Sequence, residues 1–187
     1  MPMPELPDVS RMTLADIAAA VAAQRLPPVE TWHPERCGDS FMRIAADGTW
    51  YHEGSPIKRA TMVRLFSTIL RREDDGSYVL VTPAEKLSII VEDAPFIAVE
   101  VQHEGRGEAR MLAFRLNSGD LVVAGEDHPL RFGDDADVPS PYLAVRGGME
   151  ARLARPIFYE LAEIAIDEGG TPPGIWSGGT FFAMVSA

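Results

Sequence analysis

A single cysteine, Cys37, stands in a chain of 187 residues, so no internal disulfide can staple the fold. Long apolar runs are missing too. The stretch Ile17–Ala23 near the start falls far below the ~20 residues a bilayer span requires. The opening Met-Pro-Met-Pro-Glu lacks the basic segment, apolar core and cleavage site of a secretory leader. These absences lead us to expect a cytoplasmic protein without membrane contact. Positive charge is scarce: 17 Lys and Arg against 28 Asp and Glu leave a net charge of −11, which works against general duplex binding through phosphates. No Gly-x-Ser-x-Gly, Walker-type loop, His-Glu-x-x-His or Rossmann glycine fingerprint occurs. With no second cysteine and no paired histidines beside His33, Cys37 and Asp39, neither a metal centre nor a cofactor is expected.

What is present is ordinary globular material, with 46% hydrophobic and 24% charged residues. A fold of this length buries about 70% of the surface of its unfolded chain, which excludes intrinsic disorder. Thr13 reads as an N-cap before a helix whose Leu14, Ile17, Ala18 and Val21 recur at helical spacing until Leu26-Pro27-Pro28. Val29–Asp39 reads as an ordered loop. Apolar and polar positions then alternate roughly through 41–46 and 49–53 around Asp47-Gly48, a hairpin signal. Gly54-Ser55-Pro56 supplies a Ser cap and a first-turn proline for a helix over 56–72, with Met62, Leu65, Phe66, Ile69 and Leu70 as its buried stripe. Short strand-like runs follow at 78–82, 87–91, 96–103, 110–116 and 121–124, the spacing of an antiparallel meander. A polar loop, 133–141, within an acidic stretch at 126–137, leads to a second hairpin, 142–146 and 149–153, around Gly147-Gly148. A second helix starts near Arg155-Pro156 and ends at Gly169-Gly170. The tail 175–185 reads as one strand with a glycine bend.

Hairpin, glycine turn and Pro-initiated amphipathic helix thus occur at 41–72 and again at 142–167, which reads either as an internal duplication or as a common unit used twice. The expected fold is α+β in two small lobes: 1–76, with the first helix, loop, hairpin and amphipathic helix, and 77–187, an antiparallel, barrel-like sheet capped by a helix.

Several residues stand out chemically. Lys58 and Arg59 fall in the first turn of the expected helix, where the macrodipole disfavours cations and free N–H groups favour anions. Their compensating negative group is either internal, from Asp39, Asp47, Glu53 or Glu85, or a ligand's phosphate or carboxylate. Trp32, His33, Cys37, Asp39, Trp50 and His52 offer aromatic faces and polar tips that suit nucleotide recognition if their loop and hairpin meet, while both tryptophans serve equally as core or seam residues. Thr82-Pro-Ala-Glu85-Lys86 adds a carboxylate and an amine. An interaction scaffold, or an enzyme using Cys37, His52 or Glu85, are the alternatives to a binding module.

Trp32-His-Pro34, Cys37-Gly-Asp39, Ile44–Trp50, Gly54-Ser-Pro-Ile-Lys-Arg59, Leu65-Phe66, Val81–Lys86, Val91–Phe96 and Gly174–Phe182 together resemble a bacterial family classed as a domain of unknown function. The resemblance runs over essentially the whole chain and departs at His33, where relatives carry Asn. It implies two lobes with duplicated motifs, a C-terminal lobe similar to pleckstrin-homology-like barrels, and a ligand site at the lobe interface. It also implies a nucleotide-like or nucleic-acid-derived ligand and a role in signal transduction, with a signalling or transcription-linked protein partner. The ligand-binding residues expected on this basis are Trp32, His33, Asp39, Arg43, Trp50, His52, Ser55, Lys58, Arg59, Thr82, Glu85 and Lys86. Arg59 is expected near Trp50 and the 82–86 segment.

Overall fold

The computed structural model describes residues 11–133 and 141–185. Helix α1 (Leu14–Ala23) opens with the expected cap: Thr13 Oγ1 accepts from the Asp16 N–H at 3.2 Å, and Asp16 Oδ2 accepts from the Thr13 N–H at 2.9 Å. Its alanines let it lie close, and fully buried Ile17 packs with Ala113 and Leu121. Those partners belong to the second of two compact units, so α1 is part of that unit and not of the N-terminal lobe.

The first unit takes in Gln24–Pro95. A 3-10 turn at Val29–Thr31 precedes β1 (Cys37–Ile44), β2 (Trp50–His52), β3 (Ser55–Pro56), α2 (Ala60–Thr68), β4 (Leu70–Arg72), β5 (Tyr78–Val81) and β6 (Lys86–Val91). They form one sheet ordered β3-β2-β1-β6-β5-β4, with β1 parallel to β6. Because β5 and β6 complete this sheet, the unit ends at Pro95 rather than at the expected residue 76. The expected helix over 56–72 is also shorter. Glu53 and Gly54 both take positive φ, 48° and 80°, in a two-residue turn that folds Ser55-Pro56 back along β2 as a strand. The hairpin thus claims the residues that read as a helix start, and 70–72 are claimed by pairing with β5. In α2 the side turned inward is Val63, Phe66 and Ser67, followed by Leu70, while Met62 and Leu65 of the expected stripe are 38% and 62% exposed.

The second unit holds β7 (Phe96–Glu104), β8 (Met111–Leu116), β9 (Leu121–Val123), β10 (Leu130–Arg131), β11 (Tyr142–Arg146), β12 (Met149–Leu153), α3 (Arg155–Glu168), β13 (Gly174–Ser177) and β14 (Thr180–Ala183). Its sheet is ordered β10-β11-β12-β7-β8-β9. Pairs β7–β8, β8–β9 and β10–β11 are antiparallel, and the central β7–β12 pair is parallel. A flat six-stranded sheet would hold its edges about 24 Å apart, from a ~4.8 Å strand spacing. The connection between edge strands β9 and β10 is only 124–129, shortened further by a turn in which Gly125 N–H donates to His128 O at 3.1 Å. The sheet therefore curls into a half-barrel. Helix α3 lies against β7 and β13, burying Ile157, Leu161 and Ala165 at i, i+4 and i+8, and ends on Gly169 at φ 64°. Burying Ile157 and Leu161 contributes about 1.5–3 kcal/mol each. The tail is a hairpin rather than one strand, turning at Gly178-Gly179. The expected loop 133–141 lies mostly outside the described residues.

A hairpin followed by a helix occurs at both expected places, and the duplication reaches further. Each unit lays down two three-stranded meanders in succession, with the first strand of the first meander parallel to the last strand of the second. In chain order β1–β6 correspond to β7–β12. The helices break the correspondence: α2 falls between the two meanders, whereas α3 follows the second.

Candidate functional site

All twelve residues singled out from the sequence fall in the first unit, and they separate by what their side chains already do. Trp50 lies 2% exposed, with its ring stacked on Phe66 at 6.3 Å between centroids. It is a core residue with no free face. Arg43 is paired with Glu92 and lies over the Tyr51 ring, 4.3 Å from its centroid. The Ala46 N–H, and after it Arg43, holds the Glu92 carboxyl below its ordinary range.

A second group gathers where β5 turns into β6. Thr82 Oγ1 accepts from the Ala84 and Glu85 N–H groups, at 3.3 and 3.2 Å, closing the turn that starts β6. Glu85 pairs with Arg36 at 3.6 Å, and Lys86 with Glu73 at 3.7 Å. Glu73 is shared with Arg71, which is only 5% exposed. The Arg71 Nη1 also donates to the carbonyls of Val29 and Trp32, at 2.7 and 2.8 Å. Trp32 therefore enters this group through its backbone, and Arg71 ties the 3-10 turn to β4. His33 stays exposed and outside it. Cys37, beside Lys86 in register, is an exposed free thiol.

The third group is the rim of the β2–β3 hairpin. His52 and Ser55 are register partners across it, and Ile57 N–H donates to Trp50 O at 2.8 Å before the chain runs through Lys58 and Arg59 into α2. His52, Ser55, Lys58 and Arg59 are all exposed. Neither Lys58 nor Arg59 makes an ion pair or side-chain hydrogen bond with any described residue, so none of Asp39, Asp47, Glu53 or Glu85 neutralises Arg59. Arg59 is the N-cap of α2, in extended backbone, rather than a first-turn residue, and no side chain caps the helix.

Next to this rim stands a residue that hydrophobic patterning concealed. Phe41, which alternation places in a strand, has φ 55° and is 64% exposed. The β1–β6 register slips between Asp39 and Met42, leaving Ser40 and Phe41 as a bulge. Local polar groups hold it: Ser40 Oγ donates to Ser88 O at 2.6 Å and accepts from Met42 N–H at 3.1 Å, while Asp39 Oδ1 accepts from Phe41 N–H at 2.7 Å. Asp39 is thereby a positioning group for the bulge. The Phe41 carbonyl accepts from Glu53 N–H at 2.9 Å, joining bulge to hairpin turn. A left-handed phenylalanine costs about 1–2 kcal/mol, so the exposed ring is held against its own backbone preference. The sequence signal for it is the pair Asp39-Ser40, two short side chains able to bond nearby backbone.

Comparison with known proteins agrees with the two-unit division. Residues 27–94 match the family described as Domain of unknown function (DUF1285), N-terminal domain, and residues 95–184 match Protein of unknown function (DUF1285), C-terminal domain. A crystal structure of a DUF1285 family protein from Silicibacter pomeroyi DSS-3 is 45% identical, with a TM-score of 0.80 over 93% of this chain and 95% of that one. Another, from Shewanella baltica OS155, is 27% identical with a TM-score of 0.53 over 71% of this chain and 94% of that one. No protein with a curated description matches. Among the described residues, no helix is long and apolar enough to cross a membrane. With both halves matched in order and the nearer of these structures aligned almost end to end, the chain belongs to the DUF1285 family.

Proposed function

We propose that this protein is a non-enzymatic binding module that takes an anionic, nucleotide-like ligand on the rim formed by Phe41, His52, Ser55, Lys58 and Arg59. The observation that carries the reading is the pair of cations, Lys58 and Arg59, unneutralised by any described residue at the start of α2 in a chain of net charge −11. In such a chain an isolated cationic spot concentrates anions locally, and the first N–H groups of the helix add donors to it. The bulge supports the aromatic half of the ligand: an exposed ring, held beside the rim at a conformational cost, offers a stacking face. Arg43, Thr82, Glu85 and Lys86 serve this reading as scaffold, because their charges and hydroxyl are engaged elsewhere. In signal transduction, occupancy of the rim would be read by a protein partner.

The test is a thermal-shift and calorimetric screen of the full chain against nucleotides, cyclic dinucleotides, nucleotide sugars and short oligonucleotides. A ligand that binds the folded state raises its apparent stability by mass action. The reading expects at least one phosphate-bearing compound to do so and Arg59→Ala to weaken it. A scaffold is the second reading, favoured by the exposure of Met62 and Leu65 on α2. Silence across the screen, with a protein partner lost on Leu65→Glu, would favour it instead.

A further inference from the structure

The second unit contains a cavity of about 230 Å³ between the end of β7, the turn that follows it and the last turns of α3, lined in part by His103, Arg106, Arg110, Asp167 and Glu168. Arg110 is 4% exposed; its Nη2 donates to Glu168 Oε1 at 2.6 Å, and the Gly107 N–H donates to the same oxygen at 3.1 Å. Nε and Nη1 of Arg110 are buried without a hydrogen-bond partner among the described residues. A buried guanidinium normally has its donors matched, and these two stay shielded within the cavity wall. Arg106 and Asp167 line the same space and are exposed; neither makes an ion pair or side-chain hydrogen bond with a described residue, although the Arg106 charge also acts on Glu168. His103 is engaged with Glu160 at 3.6 Å.

The wall therefore offers one positive and one negative group that form no ion pair with a described residue, beside the bonded Arg110–Glu168 pair. A simple anion would gain Arg106 and face Asp167, and a simple cation would meet the reverse. A molecule carrying both charges a few bonds apart satisfies both. The volume sets the size: drug-sized ligands occupy pockets of about 300–1,000 Å³, and this cavity is smaller. We propose that the cavity binds a small zwitterion of free amino-acid size, its carboxylate held by Arg106 and its ammonium by Asp167. This site is separate from the hairpin rim of the first unit and does not depend on the reading given for it.

The test is calorimetry of the full chain with the common L-amino acids at millimolar concentration, with acetate, methylammonium and inorganic phosphate as single-charge probes. At least one amino acid should bind while all three single-charge probes stay silent. Arg106→Gln and Asp167→Asn, both at exposed positions that leave the Arg110–Glu168 pair intact, should each weaken binding at least about tenfold through loss of a charge-assisted contact. Silence from every amino acid would overturn the proposal. So would acetate or phosphate binding as tightly as an amino acid, or affinity unchanged in both variants.

Discussion

Position 41 allows the strained bulge to be tested by a reversal of sign. At an ordinary strand position glycine is less stable than alanine by about 0.5–1 kcal/mol, because it loses more backbone freedom on folding. At φ 55° a residue with a Cβ pays about 1–2 kcal/mol that glycine does not. The difference leaves Phe41→Gly more stable than Phe41→Ala by about 0.5–1 kcal/mol. Both variants remove the ring, so the comparison cancels whatever the partly buried phenylalanine contributes by packing. Urea unfolding followed by tryptophan fluorescence measures it, in a Trp176→Phe background so that Trp32 and Trp50 report on the first unit alone. The glycine variant should have the higher midpoint at equal slope, and a melting temperature higher by about 2 °C, from 2–4 °C per kcal/mol at this chain length. If Phe41→Ala is the more stable, the backbone at 41 is not left-handed and the ring is not held out by the bulge. Under the proposed function, both variants should bind a nucleotide-like ligand less tightly than the parent, and by the same factor.

Three further outcomes are expected. Arg59→Ala should weaken anion binding by about 1.5–3 kcal/mol, roughly ten- to a hundredfold, without moving the unfolding midpoint, since Arg59 pairs with no described residue; a stability loss with unchanged affinity would mark it as structural, and Arg59→Lys should recover only part of the loss if recognition is bidentate. Ser177→Ala should cost about 2–4 kcal/mol in chemical unfolding, because the buried hydroxyl accepts from Leu112 N–H at 2.9 Å and donates to Ala124 O at 2.7 Å, and its removal strands both backbone groups. Glu168 is held below its ordinary pKa by Arg110 first and the Gly107 N–H next. A depressed carboxylate contributes stability above its unfolded pKa and loses it as pH falls through the lower folded value, so Glu168→Gln should flatten the acid limb of a stability–pH curve and leave a uniform deficit near neutrality; an unchanged acid limb would count against the pairing.

Much of the fold was legible in local sequence. The Thr13 cap, the strands β5 through β9, the hairpin at Gly147-Gly148 and the Pro-initiated α3 with its Gly169 stop follow from patterns that act over a few residues, and they appear within a residue or two of where those patterns put them. Fold class and the two-lobed duplication follow from their order. Tertiary structure decided the rest, wherever two local preferences competed. Gly54-Ser55-Pro56 suits a helix start, yet pairing with β2 and the left-handed Glu53-Gly54 turn claimed it, which moved Arg59 from the first turn to the cap. The boundary at Pro95 depends on β6 pairing with β1 across more than forty residues, and no local pattern encodes that contact. Phe41 is apolar and falls in a run of alternating polarity, but Asp39, Ser40 and the register slip against β6 turn it outward. Hydrophobic periodicity located most of the strands and helices because burial acts on every side chain alike; where helix and strand competed, which strands met, and which charges were left without partners once they had, depended on long-range pairing that only the folded chain expresses.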